Sequence, residues 1–200
     1  MSAGRILTAL VAGGLLCGSA GHAATQGAAA KGTAKPAAAS KPDTRPAVAG
    51  GAEPTLIGQF GTWGAYTAAP NGKKVCFALA KPSSSKTNPP NRPRDPAYAF
   101  VSTRPAEKVS NEVSVMVGYT LKPGSESTLE VGGASYAMYT QGDGIWIKNA
   151  AEEARLVEAL RRSPDAVVKG VSAKGTEIVD TFALKGLAQA LDRLGQDCHR

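Results

Sequence analysis

Histidine, cysteine and long apolar runs are all scarce in this chain of 200 residues. It has two histidines and three cysteines, so histidine-assisted catalysis and metal binding by clusters of these side chains have few candidates. The one extended apolar run, residues 6–16, is about half the roughly 20 residues that a membrane-spanning helix needs. Lysine and arginine total 23 against 16 acidic residues, a formal net charge of +7. This mild excess favours anionic partners weakly and does not indicate a nucleic-acid-binding protein.

Residues 1–23 have the layout of a bacterial secretory signal peptide. Arg5 supplies the basic start, the apolar run follows, and small residues surround Ala23, after which we expect cleavage. Lipoprotein processing at Cys17 is disfavoured, because Leu16 stands where a small residue has to precede the cysteine. The pattern predicts that the mature protein is exported and has no transmembrane segment.

A low-complexity segment follows the signal peptide. Residues 24–53 are rich in alanine and contain Pro36, Pro42 and Pro46. Such a composition buries too little apolar surface to offset the entropy of ordering the chain, so we predict a disordered tether. The folded domain is then expected over residues 54–200, a length that supports one hydrophobic core.

Two cysteines, Cys76 and Cys198, remain after cleavage. In an oxidising compartment such a pair is predicted to form a disulfide, and the alternative is two free buried thiols. The long enclosed loop implies a stabilisation of about 4–5 kcal/mol in the chain-entropy account. Cys76 shares a predicted strand face with Ala78 and Ala80. We therefore expect the C-terminal helix to pack closely on that face, with the disulfide at its end.

Alternating apolar and polar positions predict a mainly β domain. Asn71-Gly72, the sequence of a tight hairpin turn, lies between candidate strands 59–67 and 73–80. Further strands are expected over residues 97–103, 112–121, 127–131, 135–140, 145–148, 167–172 and 176–182. Many short strands at this spacing are typical of an immunoglobulin-like β-sandwich or a partly closed barrel.

Two short α-helices are predicted among the strands. The first begins at Asn149, a capping residue with Glu152 three positions later, and ends before Pro164. The second covers residues 184–194, where leucine and alanine recur at helical spacing and form one apolar stripe.

Patterns that mark catalysis or metal binding are few. After cleavage the only histidine is His199, next to Cys198 at the chain end, and we expect no catalytic role for this pair. Asp143 lies between glycines without the spacing of a calcium loop, and no glycine-rich phosphate loop is present. We predict no catalytic residue, no metal and no cofactor. The alternative is a carboxylate-based hydrolase, for which the candidate carboxylates are Asp95, Glu107, Glu112, Glu126, Glu130, Asp143 and Asp180.

Residues 81–96, KPSSSKTNPPNRPRDP, are the most unusual stretch of the chain. Polar, proline-rich loops of this length are often functional, and the cations here suit a phosphate, a carboxylate or an acidic polymer. The alternative is a solvated connection between two strands. The predicted binding surface consists of Lys73, Lys74, Lys86, Arg92 and Arg94.

Eight aromatic residues are expected in the core or around its rim. The alternative for them is a platform on which sugars stack. They are Trp63, Tyr66, Tyr98, Phe100, Tyr119, Tyr136, Tyr139 and Trp146.

Several motifs follow one another in a characteristic order over residues 57–198. They are FGTWGAYTA, GKKVCFAL, DPAYAFVSTRP, NEVSVMVGY, WIKNAAEEARLVEALRR and FALKGLAQALDRL, with Cys198 after the last. This order resembles the invasion-associated locus B family of exported Gram-negative bacterial proteins. The resemblance implies a β-sandwich domain without established catalytic residues, and the founding members are linked to entry into host cells. Longer members have a second disulfide, for which this chain lacks the cysteines.

These observations together predict an exported, non-enzymatic protein of the periplasm or cell surface. Its expected partner is an envelope or host protein, or an anionic polymer, and not nucleic acid. A structural role in the envelope is a further alternative.

Overall fold

The computed structural model describes residues 53–198. The predicted signal peptide, all but the last residue of the predicted tether, and His199 lie outside the described residues. Within them the mainly β class with two α-helices, one of them C-terminal, is confirmed. The strands are β1 (Thr55–Phe60), β2 (Trp63–Ala68), β3 (Val75–Ala80), β4 (Ser84–Asn88), β5 (Tyr98–Arg104), β6 (Val109–Met116), β7 (Ser127–Val131), β8 (Ala134–Gln141), β9 (Gly144–Ile147), β10 (Asp165–Val171) and β11 (Glu177–Ala183). The helices are α1 (Glu153–Arg162) and α2 (Leu187–Cys198).

All eleven strands belong to one antiparallel sheet that is not closed. Their order across the sheet is β1-β2-β3-β5-β6-β9-β8-β7-β10-β11-β4. Trp63 from β2, Val115 from β6 and Phe182 from β11 line the same small interior cavity. The two halves of the curved sheet therefore face each other across one core, as the two sheets of a sandwich do.

The predicted hairpin at Asn71-Gly72 is confirmed, since β2 and β3 pair antiparallel on either side of it. The single strand predicted over residues 59–67 is wrong. A two-residue turn divides it, and Phe60 of β1 faces Trp63 of β2. The turn begins at Gly61, whose positive φ of 59° favours glycine. Apolar residues on both sides of the turn give the sequence the same alternation that one unbroken strand would have.

Helix α2 packs against β1, β2 and β3, as the small residues on β3 predict. Ala78 of β3 and Ala190 of α2 are both fully buried, so the helix and the sheet approach closely. The helix begins three residues later than the predicted 184–194. It also ends later, because it continues through Gly195 to Cys198. Burial of the last turn offsets the roughly 1 kcal/mol that a helical glycine costs.

Asn149 is a capping residue, as the sequence predicts. It caps one turn of 3-10 helix, Ala150–Glu152, and helix α1 follows directly. The Asn149 side chain accepts a hydrogen bond from the Ala151 backbone N–H at 3.1 Å. Leu156 and Leu160 then bury the inner side of the helix in the core. Within residues 53–198, neither helix is both long and apolar enough to cross a membrane.

Candidate binding surface

The proline-rich segment, residues 81–96, is not the strand-free connection that its composition suggests. Its first part forms β4, which pairs antiparallel with β11 and completes one edge of the sheet. The sequence SSKTN has no apolar alternation, because an exposed edge strand has no buried face of its own to fill. For this reason periodicity did not reveal it.

A buried ion pair anchors the second part of the proline-rich segment. Arg94 Nη1 and Nη2 lie 2.8 and 2.5 Å from the two carboxylate oxygens of Asp180, whose side chain is fully buried. Nη1 also donates to the Val117 carbonyl oxygen at 3.0 Å, and Nη2 donates to Ser85 Oγ at 2.7 Å. This two-point geometry is the strongest form of arginine–carboxylate pairing. Arg94 therefore holds the fold, and its charge is neutralised by Asp180.

Tyr119 also contacts the proline-rich segment, at Arg94 and Arg92. The Arg94 guanidinium lies 5.8 Å from the centre of the Tyr119 ring, and the Tyr119 hydroxyl donates to the Arg92 carbonyl oxygen at 2.6 Å. Next to it, the Asp95 N–H donates to the Gly118 carbonyl oxygen at 3.1 Å. A Cβ on Gly118 would lie only 2.0 Å from the Asp95 carbonyl oxygen. The backbone around Arg92 is thus fixed by contacts on both sides.

The five predicted surface cations do not lie together. Lys86 and Arg92 are exposed on the proline-rich segment. Lys73 and Lys74 precede β3, whereas the segment follows it, and a six-residue strand separates its ends by about 20 Å. Lys74 Nζ donates to the Asp197 carbonyl oxygen in α2. With Arg94 paired internally, Lys86 and Arg92 are the predicted cations that the segment exposes.

An open groove of about 1010 Å³ lies beside the proline-rich segment. Arg92 and Tyr119 line one part of it, and the turn between β10 and β11 lines another with Lys174. Lys174 is exposed, but it is not among the five cations that the sequence predicts for the binding surface. The Lys174-Gly175 pair signals a turn, but no local pattern shows which loop that turn faces.

Asp180, one of the candidate carboxylates for a hydrolase, is not free to act on a substrate. Both oxygens of Asp180 are bound by Arg94, whereas a catalytic carboxylate has to reach substrate. Asp95 and Asp143 are exposed, in the groove and in the turn between β8 and β9. Within residues 53–198, no group of three histidine, cysteine, aspartate or glutamate side chains is placed to hold a metal ion.

A second charged cluster joins the end of β5 to the start of α1. Arg104 donates to Glu107 at 2.7 Å and to both oxygens of Glu112 at 3.0 Å. The hydrogen bonds that Arg104 donates to Glu112 raise the pKa of Arg104 above its ordinary value. Glu153 accepts from the Val113 N–H at 2.9 Å. Burial nevertheless raises the pKa of the Glu153 carboxyl, and the charge of Glu112 adds to that effect.

The raised pKa of Glu153 predicts a pH-dependent effect of Glu153→Gln. The Glu153 carboxyl ionises less readily in the folded state than in the unfolded state. The free energy of unfolding of the native protein therefore falls as the pH rises through the folded-state pKa of Glu153. Glutamine keeps an oxygen that accepts from Val113 and does not ionise. The free energy of unfolding of E153Q minus that of the native protein should therefore be larger at pH 7 than at pH 4. Urea unfolding at both pH values measures this difference, and an equal difference at both would contradict it.

Cys76 and Cys198 form a disulfide between β3 and the end of α2. Their Cα atoms lie 6.1 Å apart, and both residues are buried. The bond joins positions separated by 122 residues. It therefore links the third strand of the domain to its last described residue.

The structure thus defines a class: a disulfide-linked antiparallel β domain with a C-terminal helix packed on one end of a curved sheet. The sequence model of the family described as "Invasion associated locus B (IalB) protein" matches residues 63–195. The chain belongs to this family, which confirms the resemblance found in its motifs. The match runs from β2 into α2 and includes the proline-rich segment. No curated protein and no solved structure matches the chain.

Proposed function

We propose that this protein is exported and acts without catalysis in the bacterial envelope. It binds an envelope or host protein, or an anionic polymer, in the periplasm or at the cell surface of a Gram-negative bacterium. Its contact surface, here called the basic edge, consists of Lys86, Arg92 and Lys174.

Three observations support export. The first 23 residues have the layout of a secretory signal peptide. Disulfides persist in oxidising compartments, and the domain contains the Cys76–Cys198 bond. The membership in the invasion associated locus B family agrees with an envelope protein.

The anchoring of the proline-rich segment is the observation that carries the binding proposal. The Arg94–Asp180 pair and the Tyr119 hydroxyl hold the backbone next to Arg92. A surface that is ordered before binding loses less conformational entropy when a partner arrives. The exposed cations of the basic edge attract an anionic partner over roughly 8 Å at physiological ionic strength.

The double substitution Lys86→Ala and Arg92→Ala tests the basic edge. We expect the variant to leave an immobilised heparin column, a polyanion probe, at lower salt than the native protein, because two attractive charges are lost. In-cell crosslinking followed by mass spectrometry should lose the envelope or host partner that the native protein captures.

A control variant distinguishes the effect of the basic edge from the effect of the protein's net charge. Lys73→Ala with Lys185→Ala removes two exposed cations that lie outside residues 81–96. It should keep the crosslinked partner and shift the elution salt less. Equal shifts for the two variants, with the same captured partners, would show that net charge rather than the basic edge governs binding.

A further inference from the structure

The open sheet ends at β4, which is paired on one side only. β4 is the last strand in the sheet order, beyond β11, and all but one of its five residues are exposed. Outside the pairing with β11, no backbone N–H or carbonyl of residues 84–88 forms a backbone hydrogen bond within residues 53–198. A strand edge in this state offers a row of donors and acceptors to an extended polypeptide.

The register of β4 determines which side chains an added strand would meet on each face. Ser85 pairs with Asp180, which is buried. Thr87 pairs with Ile178, which is also buried, so Ser85 and Thr87 lie on the inner face. Lys86 lies between them and therefore belongs to the outer face. Neighbouring residues of an added strand would thus contact Lys86 on one face and the hydroxyl side chains on the other.

A hollow next to β4 contains the second cation of this edge. Its volume is about 440 Å³, and its lining includes Ser85 and Thr87 of β4 and Arg92 of the chain that follows. The Arg92 backbone N–H donates to Thr87 Oγ1 at 3.4 Å, which keeps these two residues adjacent. A side chain that an added strand turned to the inner face would therefore enter this hollow beside Arg92.

Lys86 and Arg92 both lack a carboxylate partner in the described part of the chain. Both are exposed, and none of the ion pairs within residues 53–198 includes either of them. The Glu177 carboxylate on β11 accepts instead from the Asn88 side chain at 3.0 Å. Opposite charges across a strand pair attract and like charges repel. The β4 edge therefore favours an acidic strand over a neutral or basic one.

We propose that β4 binds an acidic polypeptide segment, which joins the sheet as an additional strand. Two consecutive acidic residues suit this edge, since one faces Lys86 on the outer face and the next turns towards Arg92 on the inner face. The inference rests on the basic edge of the proposed function and selects a protein partner for it. An anionic polysaccharide lacks the regular backbone N–H and C=O groups that pair with a strand.

A second copy of this chain fits the β4 edge less well than an acidic segment does. If two β4 strands paired antiparallel around Lys86, two lysines would face each other, which is unfavourable. The strand at the opposite edge of the sheet, β1, contains no charged residue. It therefore has no charge with which to select an acidic segment, and it serves as an internal control.

Fluorescence anisotropy with labelled peptides tests the selection of acidic residues. The probes are short peptides with Glu-Glu at the centre, flanked by varied combinations of Val, Ile, Thr and Tyr, which favour strands. We expect at least one of them to bind the native protein. Its Gln-Gln counterpart should bind about tenfold more weakly, because two charge pairs across the strands are lost. Lys86→Ala with Arg92→Ala should weaken binding of the Glu-Glu peptide to a similar extent.

Backbone methylation of the peptide distinguishes strand pairing from attraction between charges. Methyl groups on alternate amide nitrogens leave both Glu side chains in place and remove the N–H donors along one edge of the peptide. Methylation of the set that faces β4 should weaken binding at least tenfold. Methylation of the other set, which faces away from β4, is the matched control and should have a much smaller effect.

Hydrogen exchange identifies the strand to which the peptide binds. Backbone amides of β4 should exchange more slowly when the Glu-Glu peptide is present, because the peptide covers the free edge. Amides of β1, at the other edge of the sheet, should exchange at an unchanged rate.

Three results would overturn the proposal. They are failure of every Glu-Glu peptide to bind, equal binding of both methylated peptides and the unmethylated one, and protection of β4 that rises with protein concentration without peptide. The last result would assign the edge to a second copy of this chain. If only the peptide tests fail, the basic edge remains and its partner is an anionic polymer. If Lys86→Ala with Arg92→Ala also leaves heparin elution and the crosslinked partner unchanged, the basic edge itself is wrong.

Discussion

Asp180→Ala is expected to lower the free energy of unfolding by about 3–5 kcal/mol, the usual cost of removing one partner of a buried ion pair. The Arg94 side chain is only 12% exposed, so its charge would stay buried without a counter-ion. The penalty comes from this orphaned charge rather than from the strength of the pair itself. Urea unfolding of native protein and variant at pH 7 measures it.

The paired substitution Arg94→Met with Asp180→Leu distinguishes charge from packing. It removes both charges and keeps most of the buried volume, so it should cost less than Asp180→Ala alone. Ser85→Ala, which removes one hydrogen bond to Arg94 at an exposed position, should cost about 1 kcal/mol or less. A loss below about 1 kcal/mol for Asp180→Ala would show that Arg94 reaches water when unpaired, contrary to its observed burial.

Cys76→Ala with Cys198→Ala is expected to lower the free energy of unfolding by about 4–5 kcal/mol. The disulfide spans 122 residues of sequence, and the loss of a long crosslink enlarges the unfolded ensemble. The native contacts of α2 with β1, β2 and β3 remain. The variant should therefore keep its β circular-dichroism spectrum while its urea midpoint falls.

Chemical reduction provides the matched control for the cysteine variant. Native protein unfolded in the presence of a reductant should approach the stability of the variant, since both lack the crosslink. Hydrogen exchange should speed up most in the last turn of α2, beside Cys198. An unchanged urea midpoint in both cases would contradict a stabilising role for this bond.

Local patterns in the sequence predicted most of the secondary structure. Residues 127–131 alternate cleanly and form β7 with the predicted bounds. Small residues on β3 correctly predicted where α2 packs. β4 was missed because its exposed edge position requires no apolar pattern. The division of residues 59–67 was missed because apolar residues flank the turn at Gly61 on both sides.

The candidate site was less predictable than the fold. The cations of residues 81–96 stood out by composition, but Arg94 proved to be internal. One signal for this was present: Asp180 occupies an inward position of β11 between Ile178 and Phe182. A carboxylate at a buried position requires a partner, yet nothing in the local sequence identifies Arg94, which is 86 residues away.

The outer face of the sheet shows the same limit on a larger scale. Alternation places each ring on one side of its own strand, and this much can be read from short stretches of sequence. The contact of Tyr66 and Phe100 with Phe77 depends on the pairing of β2, β3 and β5. The pairing of β3 with β5 joins strands that are not consecutive, because β4 lies between them in the chain but at the opposite edge of the sheet.

The sequence by itself determined the mainly β class, the two helices, the cysteine pair and the family of this protein. These properties follow from local periodicity, composition and the order of motifs. The tertiary structure alone decided the strand order, the Arg94–Asp180 pair and the groove beside Lys174. The physical reason is that backbone hydrogen bonding between strands is almost independent of sequence. Partners across the sheet are therefore selected by how all the side chains pack together in one core.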